Sequence, residues 1–444
     1  MNDDIIVAIA TSRLEAAISI IRLSGKDCIA FVQSFFTGKI MDKDSHTITY
    51  GYIKDNQKKI DEVLVNIYRG QKTFTGEEMV EINCHGGVFI TQKVLNLCLK
   101  KGARMAEHGE FSKRAFLNGR IDLSQAEAIS DLITAKNDYA TELALKGIQG
   151  HISHFIEDLR EDLIQIITQI EVNIDYPEYD DIEELTADTL LPKSETLQKK
   201  MNRIIESSQN VHLLKDGIST VIIGKPNVGK SSLLNALLNE DKAIVTDIAG
   251  TTRDVVEGTI RLDNIVLNMI DTAGIHETED IVENIGVTKS KELIHKADLV
   301  LLVLDGSSEL TKEDYELIEL SQDTNRIIVI NKKDQGIHQS IEGIAISARD
   351  NEIEPLIDEI KTMFEMGKIT SGQEDILANA RQIQLLEKAN QSLNNAIEAM
   401  KNQIPTDLIV TDLYDSWENL KEILGERAKE DLLDELFKRF CIGK

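Results

Sequence analysis

The sequence predicts a multidomain chain: an α+β N-terminal domain, an all-α helical domain, and an α/β domain inserted into the helical one. Three observations predict it. The length, 444 residues, corresponds to about three domains at roughly 150 residues each. Short β-rich runs give way near Ser124 to helical apolar stripes. From Asp216 to about Gly367 strands alternate with helical stretches, and the helical pattern then returns. The boundaries read as 1–119, 120–215, 216–370 and 371–444.

In the first segment, Ile5–Ile9, Ala17–Leu23, Glu62–Tyr68 and Met79–Cys84 read as strands. His85-Gly86-Gly87 reads as a turn, and Val88–Leu99 as a helix. In the second, apolar residues from Ile152 to Ile174 recur mostly every three or four positions, the stripe of one long amphipathic helix. Tyr176-Pro177 ends it. Glu178–Asp188 carries six acids and no base and reads as a solvated face or loop. A helical run over Ser194–Leu214 follows. In the third segment, Thr220–Ile223, Val266–Ile270, Leu299–Leu304 and Arg326–Ile330 read as strands of a parallel sheet. Ser371-Gly372-Gln373 marks the junction, and helix resumes from Asp375 to Phe440.

Composition excludes several classes. With 42% hydrophobic and 28% charged residues, the chain can form a core and is not mostly disordered. The richest apolar run, Ala297–Leu304, is broken by Asp298, far short of the ~20 residues of a membrane span. Met1-Asn2-Asp3-Asp4 is acidic and unlike a secretory signal. The four cysteines, Cys28, Cys84, Cys98 and Cys441, form no C-x-x-C pair, so a disulfide scaffold and a zinc ribbon are not expected, and the chain reads as cytoplasmic. The net charge of −27 should repel nucleic acid at long range, so contact with an RNA must be local or made through a partner.

The inserted segment carries the chemistry. Gly224-Lys225-Pro226-Asn227-Val228-Gly229-Lys230-Ser231, followed by Ser232, matches G-x-x-x-x-G-K-[ST] between a strand and a helix. Its backbone N–H groups can close around phosphate oxygens at a helix N-terminus. Lys230 is placed to reach the β- and γ-phosphates and Ser231 to bind Mg²⁺. Asp271-Thr272-Ala273-Gly274 supplies an acid for the Mg²⁺ shell and an amide for the γ-phosphate. In Asn331-Lys332-Lys333-Asp334, the carboxylate can accept hydrogen bonds from guanine N1 and its exocyclic amine, and Ser347-Ala348-Arg349 backs the base. Four such elements in order make this a P-loop GTPase (Ras-like) domain. Thr246-Asp247-Ile248-Ala249-Gly250-Thr251-Thr252-Arg253-Asp254 lies where a switch loop belongs, and either Thr251 or Thr252 can close over Mg²⁺. Ile275, after the D-x-x-G element, cannot orient water. A partner's arginine or a bound cation must then offset the phosphate charge. Asn227, with loop carbonyls around Thr246, Ile248 and Thr251, offers one monovalent-cation cage; Asn227 as a plain turn residue is the other reading.

Together these residues resemble the tRNA-modification GTPase MnmE (TrmE) family. The likeness extends over the whole chain: Thr75-Gly76-Glu77-Glu78, His85-Gly86-Gly87, Gly109-Glu110-Phe111-Ser112, Arg114–Gly119, Asp122–Ala128 and the terminal Phe440-Cys441-Ile442-Gly443-Lys444. The resemblance implies a homodimer that pairs with the FAD-containing MnmG (GidA) in a heterotetramer. Together they would install an aminomethyl-type group, including 5-carboxymethylaminomethyl, on the wobble uridine of tRNAs. A 5-formyl- or methylene-tetrahydrofolate would supply the carbon, and K⁺ would activate the GTPase. It implies K⁺ ligands at Asn227, Thr246, Ile248 and Thr251, and Mg²⁺ ligands at Ser231 and Thr252. It makes Glu283 the acid that positions the attacking water, although from the residues alone Glu277–Glu283 reads as a solvated acidic surface. Folate contacts are implied at Arg22, Glu81, Arg120 and Lys444, and Cys441 is a candidate for chemistry near the folate. The chain departs from the family at Ser12–Ala17, where a Pro- and Gly-rich stretch is usual and an arginine stands in place of Glu15. Fewer glycines stiffen that loop.

Two other classes share the nucleotide motifs. A ribosome-assembly GTPase usually adds a basic RNA-binding domain, which the acidic region Asp407–Glu435 does not resemble. A GTP-gated scaffold without chemistry of its own would share every motif.

Overall fold

The computed structural model describes residues 4–175, 187–208, 213, 215, 217–239, 256–262, 265–270, 293–294, 296–338, 340–365, 376–426, 430–438, 440 and 442–443. Thr246–Asp254, Asp271–Ile275, Glu283, Ser371–Gln373, Cys441 and Lys444 lie outside the described residues, as does most of the acidic run after Pro177. The chain divides into two compact units: Met1–Ile133 with Lys146–Leu197 and Lys388–Lys444, and Thr134–Leu145 with Gln198–Glu387.

The first unit is built on a sheet of β1 (Ile6–Ile9), β2 (Ile18–Ser24), β3 (Thr47–Asp55), β4 (Lys58–Tyr68), β5 (Met79–His85) and β6 (Arg104–Met105), in the order β3-β4-β5-β2-β1-β6. Only the β1–β6 pair is parallel. Alternation explains the strands. Val63, Val65 and Ile67 of β4 are buried with Val80 and Ile82 of β5 and Ile21 and Leu23 of β2. The helices Cys28–Gln33 and Val88–Lys101 contribute Ile29, Val32, Val94 and Cys98 to this core. Each such side chain contributes about 1.5–3 kcal/mol by leaving water. The opposite parity puts Arg22, Asn66, Tyr68 and Glu81 together on the other face. Strand β4 begins earlier than its apolar pattern predicts: Lys58, Lys59 and Asp61 interrupt that pattern, but the ladder to β3 continues through them and Ile60 packs against the core.

The long helix runs from His151 to Asp175, close to the predicted Ile152–Ile174. It packs against the helix Thr406–Leu424, with a 2.5 Å hydrogen bond from Tyr414 Oη to Glu171 Oε1. The C-terminal helices are Ala380–Lys401, Thr406–Leu424 and Glu430–Phe437.

The second unit holds a sheet of β7 (Ile218–Ile223), β8 (Val256–Leu262), β9 (Ile265–Ile270), β10 (Leu299–Asp305), β11 (Arg326–Asn331) and β12 (Ile344–Ala345), in the order β12-β11-β10-β7-β9-β8. The four predicted strands are parallel, as expected, and β12, which was not read from sequence, joins them in parallel. The sixth is a correction: β8 runs antiparallel to β9. Only two residues separate Leu262 from Ile265, too few for a crossover, so this connection must be a hairpin.

Strand β10 is fully buried from Leu299 to Leu304, which explains its unbroken apolar run. Leu301 and Val303 cluster with Leu233 and Leu237 of the helix Lys230–Asn239 and with Leu356 and Ile360 of the helix Glu354–Glu365. Val300, Leu302 and Leu304 face Ile294 and the helix Lys312–Leu320. Tyr139 and Leu143 pack against Ile376 and Ala378 in the same unit. Among the described residues, no helix is long and apolar enough to cross a membrane.

Candidate functional site: a phosphate loop tied to a base-recognition loop

The phosphate loop starts where β7 ends and the helix Lys230–Asn239 begins. Two of its glycines are required by space as well as by backbone angle. Gly224 has φ +152°, and a Cβ there would lie 2.4 Å from Val303 O of β10. Gly229 has φ +97°, and a Cβ would lie 2.2 Å from Asn331 Nδ2. Asn227, between them, is exposed and also left-handed, at φ +61°. Asparagine tolerates that conformation better than most residues.

Lys230 Nζ donates to Gly224 O at 2.8 Å and to Lys225 O at 2.7 Å. Its side chain therefore folds back over the loop, and burial lowers its pKa. An anion against this loop would restore the preference for the charged form. Val228 is buried, and Ser231 and Ser232 open the helix whose N-terminus faces the loop. That combination of backbone amides, helix dipole and ammonium suits phosphate.

Asn331, 3% exposed, joins two motifs that lie far apart in sequence. Its Nδ2 donates to Val228 O at 2.9 Å, and its Oδ1 accepts from Ala348 N at 3.0 Å. The predicted phosphate loop, Asn331–Asp334 and Ser347–Arg349 are thereby one constellation. Ser347 Oγ lies 3.1 Å from Asp334 Oδ1 and 2.8 Å from Asp350 Oδ2. Asp334 is exposed at its turn, as base recognition requires. Arg349 is exposed as well. Lys332 sits at φ +64°, and its Nζ pairs with Asp305 Oδ2 at 2.6 Å.

Sequence reasoning missed Asp314, Asp305 and the side-chain role of Lys225, which it had read only as part of the phosphate-loop motif. Lys225 pairs with Asp314, and Asp305 pairs with Lys332. Their partners lie on different elements, and no spacing rule connects them. Asp314 had one signal: Thr311-x-x-Asp314 matches a capping box, and that box is formed.

The predicted Mg²⁺ and K⁺ sets are only partly described. Ser231 stands at the helix start, the place for a Mg²⁺ ligand, while Thr252 is outside the described residues. Asn227 offers an exposed amide oxygen beside the loop, a hard donor suited to K⁺; Thr246, Ile248 and Thr251 are outside.

The second group of predicted residues is on the first sheet. Arg22 and Glu81 are register partners on β2 and β5 and form a part-buried ion pair, Nη2 to Oε1 at 2.8 Å and Nε to Oε1 at 3.0 Å. Arg22 Nη1 donates to Gly443 O at 2.9 Å, and its guanidinium lies 5.7 and 5.9 Å from the Phe74 and Phe111 ring centres. Tyr68 Oη donates to Glu81 Oε2 at 3.0 Å. Burial, then the Glu81 charge, raises the Tyr68 pKa. Asn66 Oδ1 is buried with no hydrogen-bond partner among the described residues. A ligand with an N–H edge would satisfy it, which is compatible with a pterin. Phe74, Phe111, Tyr68 and Asn66 were not read from sequence as parts of this site. Arg120 is exposed after the helix Glu110–Leu117, and among the described residues no ion pair joins it to Glu81.

Comparison with known proteins matches this arrangement along the whole chain. A model described as the GTP-binding protein TrmE N-terminus matches residues 5–120, and one described as the MnmE helical domain matches 123–441. The chain is 48% identical over 448 residues to a tRNA modification GTPase MnmE of Lactococcus lactis subsp. cremoris, covering 99% of this chain and 98% of that one. It is 46% identical over 458 residues to that of Bacillus pumilus, covering 99% and 100%. A crystal structure of an Aquifex aeolicus Era variant bound to GDP·AlF4⁻ aligns with 39% of this chain and 66% of its own at 26% identity, with a TM-score of 0.25, too low to bear on the fold. With an N-terminal domain, a helical domain and a nucleotide-binding α/β sheet in one chain, this protein belongs to the MnmE family of tRNA modification GTPases.

Proposed function

We propose that this chain is a K⁺-activated GTP hydrolase that, with the FAD-containing MnmG, installs the 5-carboxymethylaminomethyl or aminomethyl group on the wobble uridine of tRNAs. GTP hydrolysis drives a conformational change in that scheme. The observation that carries the reading is Asn331, whose single side chain joins the phosphate loop at Val228 to the base-recognition loop at Ala348. Base identity and phosphate grip are then set by one rigid element.

In this reading Asn227–Ser232, Thr246–Thr252 and Asp271–Gly274 surround the phosphates, and Asn331, Lys332, Asp334 and Ser347–Arg349 hold guanine. Ser231 and Thr252 hold Mg²⁺. Asn227, Thr246, Ile248 and Thr251 would hold K⁺, whose positive charge would offset the charge that builds up on the phosphates during hydrolysis. Lys230 donates to the phosphates while its two carbonyl partners keep it aimed. Glu283 positions the water, because Ile275 has no polar atom to do so. Arg22, Glu81, Arg120 and Lys444 bind a 5-formyl- or methylene-tetrahydrofolate. The domain limits 1–119, 120–215, 216–370 and 371–444, a homodimer, its heterotetramer with MnmG, local or partner-mediated tRNA contact and a cytoplasmic location complete the proposal.

GTP hydrolysis measured in matched KCl and NaCl tests the cation. The expected rate is at least ~10-fold higher in K⁺, and Asn227→Ala removes the difference, as expected of a preorganised charge at the transition state. Equal rates in both salts for the parent protein would reject it. Mass spectrometry of wobble uridines from a deletion strain tests the tRNA role, with loss of the modified base expected.

A further inference from the structure

The phosphate loop is fastened at both ends, and only one fastening belongs to a nucleotide motif. At the far end, Asn331 holds Val228 O. At the near end, Lys225 reaches away from the loop to the start of the helix Lys312–Leu320. Its Nζ lies 2.6 Å from Asp314 Oδ2 and 2.9 Å from Thr311 Oγ1. The Asp314 side chain is 2% exposed and that of Lys225 is 17% exposed. Asp314 Oδ2 also accepts from Thr311 N at 2.8 Å, while Asp314 Oδ1 is buried with no hydrogen-bond partner among the described residues. A buried carboxylate with one oxygen unmet depends heavily on its cation.

Lys225 also has a second task through its backbone. Its carbonyl is one of the two oxygens that hold the Lys230 ammonium. The residue before it, Gly224, is pressed against Val303 O, so the loop cannot shift toward β10. The Lys225 side chain holds the start of the loop to the helix Lys312–Leu320.

We infer that Lys225 is a positioning residue for the nucleotide site: its ion pair with buried Asp314 fixes the start of the phosphate loop and, through the Lys225 carbonyl, the aim of Lys230. The inference rests on the reading of Lys230 as the phosphate-binding lysine. The Lys225 ammonium is turned to Asp314 and Thr311 rather than over the loop. Its loss leaves the amides and Lys230 in place but no longer preorganised, so binding weakens before chemistry does.

The test uses the full-length chain and N-methylanthraniloyl-GDP as the binding probe, with steady-state GTP hydrolysis in K⁺. Lys225→Met is expected to weaken probe binding and raise KM for GTP by roughly 10-fold, with kcat within about threefold of the parent. Lys225→Arg keeps the charge and is expected to restore KM to within about twofold. Asp314→Asn is the second variant, in case Lys225→Met fails to fold. It keeps the cap geometry, removes the charge and is expected to reproduce the KM effect, and the double variant should add little to either single one. Lys230→Ala serves as the reference. If it retains probe binding, the phosphate-site reading fails. If it loses binding while folded Lys225→Met and Asp314→Asn both bind within twofold of the parent, only the positioning role is overturned. A fall in kcat as large as the rise in KM, not rescued by Lys225→Arg, would also overturn it.

Discussion

The two sheets carry their candidate sites in opposite ways. On the mixed sheet of the second unit, the site lies where β7 and β11 end, in loops whose residues are contiguous in sequence. On the largely antiparallel sheet of the first unit, Arg22, Asn66, Tyr68 and Glu81 come from three strands and meet only because the register aligns them. A loop site needs backbone amides in a row, so its chemistry is written in consecutive residues. A sheet-face site needs side chains from different strands, so its chemistry is scattered. The first kind therefore tolerates little local change, whereas the second depends on register and on pairwise charge.

The largest effect is expected where the loop site is most constrained. Gly229→Ala would place a Cβ against Asn331 Nδ2, and Asn331 is buried and bonded at both ends, so it cannot swing away. Strain at a left-handed backbone, ~1–3 kcal/mol, adds to the lost clamp. GDP affinity measured by titration should fall by about 10³-fold. Retained affinity would show that the phosphate loop and Asn331 are not coupled. Next is Asp334→Asn, which in the proposed reading removes a charged acceptor for two guanine donors, each such bond being worth about 1.5–3 kcal/mol. GTP affinity should fall by up to about 100-fold while xanthosine triphosphate gains. Unchanged preference between the two nucleotides would place base recognition elsewhere.

The sheet-face site should respond more mildly and in a different observable. Arg22→Met leaves Glu81 part-buried with Tyr68 and Asn66 but no cation. Fully buried pairs lose about 3–5 kcal/mol on such a change; with 17% and 11% of the two side chains exposed, roughly 2 kcal/mol is expected. Thermal melting should show the loss, and GTP hydrolysis should stay within about twofold. A matching fall in GTPase activity would erase the contrast between the two regions.

The smallest effect is in the ionic network that backs the first sheet. Arg104 Nη1 donates to Glu110 Oε2 at 3.0 Å, and Arg114 Nη2 donates to Glu110 Oε1 at 3.2 Å. Burial pushes the Glu110 carboxyl up, but Arg104, the Glu107 N–H and Arg114 together hold its pKa below the ordinary 4.5. A depressed carboxylate contributes stability that is present above the unfolded value and is lost as pH falls through the folded one. Melting temperature should therefore drop on acidification below about pH 4.5, and Glu110→Gln should shrink that drop while lowering stability at pH 7. An identical acid response in both proteins would remove Glu110 from the network's pH dependence.

Fold class, most of the strands, the long helix and the nucleotide motifs were legible in the amino-acid sequence, because each rests on local physics; β3, β6, β8 and β12 were not read. The 3.6-residue stripe of His151–Asp175, the unbroken apolar run of β10 and the glycines at 224 and 229 all report what neighbouring residues must do. Arg22 and Glu81 could be placed in one site as well, but only through likeness to a family, not through spacing. The antiparallel β8, the company of Phe74 and Phe111 around Arg22, the Asn331 bridge and the Lys225–Asp314 fastening emerged only on folding. Each joins residues that are remote in sequence or whose pairing depends on how the chain returns. Side-chain charge and reach permit many such partners, and only the packed sheet and its helices select one.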